Sequence, residues 1–264
     1  MHELSNRQKA VLGHLSRAAF VLIFLCLAFS LMIGIAARRN KKLAAGKEAA
    51  PAVAASEQVN IDDMIFIGES TTSHLRSRGV LSGGKNTRQV WSSDQNTMSL
   101  DLNILNKTIR YPRTGQSMTI PAAMGAERPP VVVLNFGVNG ITSFARNERL
   151  YKAAYGKLID AIHEASPATV VLLQTVYPLA LNQTAFSEGA ETVNGYIRRL
   201  NELLPEIATS HDAYVVDTAS VLRDQKGNLR ADYQTGDGIH LTKEAYLAIL
   251  SYLRTHPYER NDTE

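Results

Sequence analysis

Cysteine is all but missing. Cys26 stands alone in 264 residues, so neither an intrachain disulfide nor a thiolate metal cluster can form. An excess of one charge sign is also lacking, with 28 Lys and Arg against 25 Asp and Glu. Eight of those basic residues but only three of the acidic ones fall within residues 1–60, which leaves the rest of the chain near neutral. This balance argues against nucleic acid as the main partner, because neutralising a phosphate backbone takes a concentrated basic face. Internal repeats and low-complexity tracts are missing too, apart from an Ala-rich stretch at 43–60. What is present is 45% hydrophobic residues, which rules out a fibrous or wholly disordered chain. The length suits one domain of roughly 50–250 residues plus appendages.

Residues 18–37, AAFVLIFLCLAFSLMIGIAA, hold twenty residues without a charge. At about 1.5 Å per helical residue they match a hydrocarbon core about 30 Å thick. A cleaved signal peptide is the rival reading, but its apolar region runs to about 7–15 residues and a small-x-small site follows closely. Here Arg38 and Arg39 follow, and Ala52-Val53-Ala54 lies well downstream. The expectation is a tail at 1–17, an uncleaved signal anchor at 18–37 and a basic, Ala-rich tether at 38–60, with Cys26 facing lipid. Arg7, Lys9 and Arg17 precede the span while Arg38, Arg39, Lys41 and Lys42 follow it, so charge alone orients it weakly. The short leading tail favours a cytoplasmic N-terminus and an extracellular domain, with a secreted form as the alternative.

From Met64 the pattern changes. MIFIG at 64–68, VVVLNFG at 131–137, TVVLLQT at 169–175 and AYVVD at 213–217 are short apolar runs without polar alternation, as strands covered on both faces are. Thr87–Trp91 is a candidate fifth strand. Between the runs, Tyr151, Tyr155, Leu158 and Ile162 recur at helical spacing, as do Ile197, Leu200, Leu204 and Ile207. A closing helix is expected over Thr242–Leu253, with Leu241, Ala245 or Tyr246, Ile249 and Leu253 facing the sheet. Strands alternating with helices predict a three-layer α/β/α sandwich on a mostly parallel sheet over 61–256, followed by a polar tail at 257–264. Residues 100–109 read as a helix, and the proline-rich stretch at 111–130 as either a binding loop or a plain surface excursion.

Ligands of parallel sheets bind at the carboxyl ends of the strands, and three polar sequences fall there. Gly68-Glu69-Ser70 puts a serine at the start of a helix, where free N–H groups stabilise an anion; an ordinary N-cap at Ser70 or Thr71 is the plainer reading. Gly137-Val138-Asn139-Gly140 presents a carboxamide, a donor suited to an oxyanion, or else simply a turn-forming asparagine. Asp237-Gly238-Ile239-His240 lets a carboxylate accept from one ring nitrogen while the other serves as a base. A metal pair is the rival there, but two ligands are too few for zinc. Asp237 and His240 as mere helix-approach and capping residues is the plain reading. Ser, Asp and His in this order can form a hydrolase triad without metal or cofactor.

The three blocks together resemble the SGNH or GDSL hydrolase superfamily across residues 61–256. The resemblance implies a flavodoxin-like fold, Ser70 as nucleophile, His240 as base, Asp237 as its orienter, and the Ser70 amide with the Asn139 side chain in the oxyanion hole. Glu69 stands where the family usually has Asp, and Gly140 where it has a second acidic residue. The family's glycine block has no clean counterpart, although Gly83 and Gly84 lie in the interval. It implies an esterase or acylhydrolase acting on an acylated small molecule or glycan. A membrane-associated glycan O-acyltransferase and an inactive glycan-binding protein are the alternatives. Trp91, Tyr111 and Tyr177 are candidates to line a sugar cleft, or else core.

Overall fold

The computed structural model describes residues 60–256 and residue 258. The leading tail, the expected span at 18–37 with Cys26, and the tether up to residue 59 lie outside the described residues, as does most of the polar tail. Among the described residues no helix is long and apolar enough to cross a membrane.

Four of the apolar runs form the expected strands: β1 (Met64–Gly68), β5 (Val131–Asn135), β6 (Val170–Gln174) and β7 (Tyr214–Val216). The fifth is the short β2 (Val90–Trp91). They make one parallel sheet in the order β2-β1-β5-β6-β7, with Gly68 opposite Asn135 and Leu134 opposite Leu173. Alternate side chains point to opposite faces, and each face has its own core. Ile65, Ile67, Val132, Leu134, Val171 and Leu173 join one apolar cluster. Met64, Phe66, Val131, Val133, Leu172 and Val216 join the other.

The first face is covered by α2 (Ile120–Glu127), α3 (Ile141–Arg146), α4 (Glu148–Ala165) and α5 (Ala190–Ser210). Tyr151, Tyr155, Leu158 and Ile162 are fully buried on α4, as their spacing predicts. The second face is covered by α1 (Ser70–Ser77) and α6 (Lys243–Thr255). Leu241, Ala245, Tyr246, Ile249 and Leu253 are all buried there, and Tyr246 Oη donates to the Thr71 carbonyl at 2.6 Å, joining the two helices.

Residues 100–109 are not a helix. They form a single 3-10 turn at Ile104–Asn106 and then β3 (Thr108–Arg110), which pairs antiparallel with β4 (Ser117–Thr119). Leu100, Ile104 and Ile109 are all buried, although on a helix Ile109 would lie on the face opposite Leu100. Asn103 and Asn106 favour turns, and β-branched Thr108 and Ile109 favour the strand. Lys107 closes the loop by donating to the Ser99 carbonyl at 2.7 Å and to Asp101 at 2.6 Å. The proline-rich stretch is likewise built into the fold: Thr119 caps α2 by accepting from the Ala122 amide, and Pro121 sits in the first turn, where no N–H is needed.

Candidate active site

β1 ends in Gly68, where an added Cβ would collide with Thr72 Oγ1 and the Asn135 carbonyl oxygen, so the tight turn demands glycine. The chain then enters α1 with Glu69 at the N-cap and Ser70 as the first helical residue. The capping role foreseen for Ser70 or Thr71 is not taken up. Ser70 Oγ lies 3.0 Å from His240 Nε2, and Thr71 Oγ1 donates instead to Asn135 Oδ1 at 3.3 Å.

His240 arrives on a closed loop. Gln234 pairs with Leu241 across it, and the Thr235 amide donates to the His240 carbonyl at 2.9 Å. Gly238 has φ +77°, and an added Cβ would lie 2.6 Å from the Gln183 backbone, so only glycine lets the loop seat on the segment after β6. Asp237 Oδ2 is 2.6 Å from His240 Nδ1, while its Oδ1 accepts the Ile239 and His240 amides at 2.9 Å each. Partial desolvation pulls this carboxyl upward, but the bonds from the His240 ring and the two amides outweigh it and bring it to about 2. The helix-cap reading of His240 gives way, because Thr242 is the N-cap of α6.

Asn139 sits in the turn after β5, between Gly137 at φ +140° and Gly140 at φ +91°. Its Nδ2 donates to the Met98 carbonyl at 3.1 Å, and a carboxamide has a second N–H to give. Its backbone amide donates to both oxygens of Glu69, at 3.1 and 3.0 Å, and Gly137 N–H donates to Oε1 at 3.0 Å. Glu69 is 2% exposed. Burial pushes it up to about 8 against the downward pull of the Gly137, Asn139 and Val138 amides and of Lys107.

His74, one turn beyond Ser70, is a neighbour that the sequence reading missed. Its ring packs against that of His240, with centroids 4.6 Å apart and planes tilted by 42°. Its Nδ1 is buried without a partner. Desolvation, then the nearby His240 and Arg78, lower its pKa, with Asp237 opposing.

The three aromatic candidates do not line a cleft. Trp91 is 1%, Tyr111 4% and Tyr177 5% exposed, so each spends its ring on the core. Trp91 meets Tyr111 edge-on at 5.8 Å, and Tyr111 Oη donates to Glu127. Gly83 and Gly84 do not stand in for the glycine block either. Gly83 lines an open groove of about 380 Å³ with Asp62 and Gln89, at the amino end of the sheet and away from Ser70. At the carboxyl end the chain leaves β2 through Ser92 and Ser93, on the strand paired with β1.

The model of the GDSL-like lipase/acylhydrolase family matches residues 66–248. No curated protein matches this chain. Among solved structures, a Streptococcus pneumonia protein provisionally called a platelet activating factor is 18% identical and superposes with a TM-score of 0.52, covering 87% of this chain and 98% of that one. A GDSL-like lipase from Bacteroides thetaiotaomicron is 18% identical with a TM-score of 0.48, over 80% of this chain and 95% of its own. A family 3 carbohydrate esterase from Clostridium thermocellum is 16% identical with a TM-score of 0.45, over 73% and 93%. At such identity the first of these likenesses speaks for the fold alone.

Proposed function

The chain belongs to the GDSL-like lipase/acylhydrolase family, and from that premise we propose that it is a serine esterase that removes a short O-acyl group, in first place O-acetyl, through an acyl-enzyme on Ser70. The observation that carries the proposal is the unbroken line from Asp237 through His240 to Ser70 Oγ, at 2.6 and 3.0 Å. Asp237 accepts a hydrogen bond from Nδ1–H, which holds the tautomer that leaves Nε2 free to accept. As Ser70 Oγ attacks the ester carbon, its proton passes to His240 Nε2. The carbonyl oxygen gains the negative charge, facing the Ser70 amide at the start of α1 and the free N–H of Asn139. His240 then gives its proton to the departing alkoxide. A water follows the same route in reverse to free the acid and Ser70.

A short acyl group suits the surface. Among the described residues the exposed large hydrophobics are Leu102, Leu181 and Leu247. They are scattered singly, whereas a long acyl chain calls for a continuous apolar surface. The purified full-length chain is expected to label with a fluorophosphonate probe and to release acetate from p-nitrophenyl acetate and from O-acetylated glycans, with Ser70→Ala losing both properties. Labelling that persists in Ser70→Ala would remove the nucleophile assignment. Turnover of small esters without any glycan turnover would confine the substrate to small molecules. A sugar hydroxyl that accepts the acyl group in place of water would make the same site an acyltransferase, seen as acyl transfer to added glycan rather than free acetate.

The charge-free stretch at 18–37 supports a further part of the proposal: it anchors the domain in the cell membrane, with the site outside and facing cell-wall or exported glycan. After Cys26→Ser, a cysteine at exposed Asn60 is expected to react with an impermeant thiol reagent on intact cells. Protection until lysis would place the domain inside, and a product shortened and released into the medium would make it secreted.

A further inference from the structure

Glu69 is not needed by the triad, yet it is among the most buried charged side chains of the described residues, and it lies directly before Ser70. A buried carboxyl is costly unless its oxygens are occupied. Here Oε1 accepts from two amides, of Gly137 and Asn139, and Oε2 approaches the Asn139 amide as well. Both donors belong to the turn that carries Asn139. The turn needs such a restraint, because its two glycines at positive φ leave it little stiffness of its own. From the other side the Met98 carbonyl holds the Asn139 carboxamide, and Lys107 pins the neighbouring Ser99.

We infer that Glu69 is a positioning residue that locks the Asn139 turn to the nucleophile turn, so that Ser70 Oγ and the Asn139 amide keep one fixed separation as charge develops on the substrate oxygen. This rests on the esterase reading above. A donor displaced by even about 1 Å loses much of its worth to an oxyanion, so the lock acts on rate rather than on substrate binding. The length of the side chain matters. From the same backbone position aspartate ends one methylene short of the Gly137 and Asn139 amides, so glutamate here reaches a turn that aspartate would meet only if the two turns moved closer. Around the carboxyl stand Lys107 as the nearby cation and the buried phenols of Tyr151 and Tyr155.

The test is a double-mutant cycle on the full-length chain, with p-nitrophenyl acetate as substrate. Glu69→Ala is expected to lower kcat about 10- to 100-fold with KM within about threefold, and the same change in an Asn139→Ala background to lower kcat less than about threefold. Glu69→Gln, whose carbonyl oxygen can still take both amides, is expected to recover most of the loss. Equal losses in the two backgrounds, or no loss at all, would overturn the inference, since a merely structural glutamate would act independently of Asn139. If Glu69→Ala proves unfolded by circular dichroism, Glu69→Asp takes its place in the cycle under the same criterion. An unchanged rate in Ser70→Ala would instead overturn the esterase reading, and the inference with it. Loss of activity in Ser70→Ala alongside additive Glu69 and Asn139 effects overturns the inference alone.

Discussion

Replacing Asp237 by Asn is expected to lower kcat about 10⁴-fold, with KM and the fold little changed. The magnitude follows from how the carboxylate is used. Oδ1 accepts from two backbone amides and Oδ2 accepts from Nδ1–H of His240, so all three partners are donors. An amide cannot accept at both ends. If its oxygen stays with the Ile239 and His240 amides, its NH₂ faces Nδ1, which must then accept. The ring proton moves to Nε2, and the nitrogen 3.0 Å from Ser70 Oγ becomes a donor, unable to take the serine proton. Turning the amide over sets the NH₂ against two N–H groups, which is no better. The check is steady-state hydrolysis of p-nitrophenyl acetate with circular dichroism alongside. A loss smaller than about tenfold would mean that Asp237 does not set the tautomer. Combining Asp237→Asn with Ser70→Ala should cost no more than Ser70→Ala alone, as expected of three residues that act as one unit.

Acid does not imitate this substitution at ordinary working pH. Asp237 is brought down to about 2, so whatever stability it lends is present above the usual 3.8 and is lost only as pH falls through 2. A decline of activity under milder acid therefore has another origin than the Asp237 carboxyl.

The parallel sheet was readable because strands buried on both faces keep no polar alternation, and MIFIG and VVVLN carry that mark without help from context. The helices α4 and α5 were readable for the matching reason, a single apolar stripe. Ser70, Asn139, Asp237 and His240 stood out because each lies just beyond an apolar run or before a helix, with a glycine within two residues. What escaped was settled by contacts between distant parts of the chain. Leu100 and Ile104 fit one helix face, but Ile109 falls on the opposite one, and the bonds of Lys107 to Ser99 and Asp101 hold the segment as a folded-back loop. Trp91, Tyr111 and Tyr177 carry polar handles that suit either a sugar or a core, and only packing distinguishes the two. Gly83 and Gly84 fell at the wrong end of the sheet because the path after α1 leads back to Asp62 before β2 begins. His74 was one histidine in a helix until the loop carrying His240 closed over it. Glu69 read as a conservative exchange for aspartate, since nothing local reveals that its carboxyl is spent on the turn after β5.

That placement gives Glu69 a second consequence, for stability. Burial pushes its pKa up to about 8, against the amides of residues 137–139 and the charge of Lys107, while in the unfolded chain it titrates at the usual 4.5. Between those values the folded chain holds a proton that the unfolded chain has released, so the unfolded state binds fewer protons and stability falls as pH rises. The stabilising contribution is complete below 4.5 and is lost as pH climbs through 8. At roughly 1.4 kcal/mol per pH unit the whole window amounts to about 5 kcal/mol, a large share of a typical domain's stability. Glu69→Gln has no proton to exchange and keeps a carbonyl oxygen for the Gly137 and Asn139 amides. Urea unfolding of the full-length chain at intervals from pH 5 to 8 should therefore show the variant gaining on the native protein by several kcal/mol. The gain should accumulate steadily across the range rather than appear as a constant offset, which is what a simple packing change would produce. A difference that stays flat with pH would mean that the three amides hold Glu69 ionised in the folded chain, with its burial already offset by their hydrogen bonds.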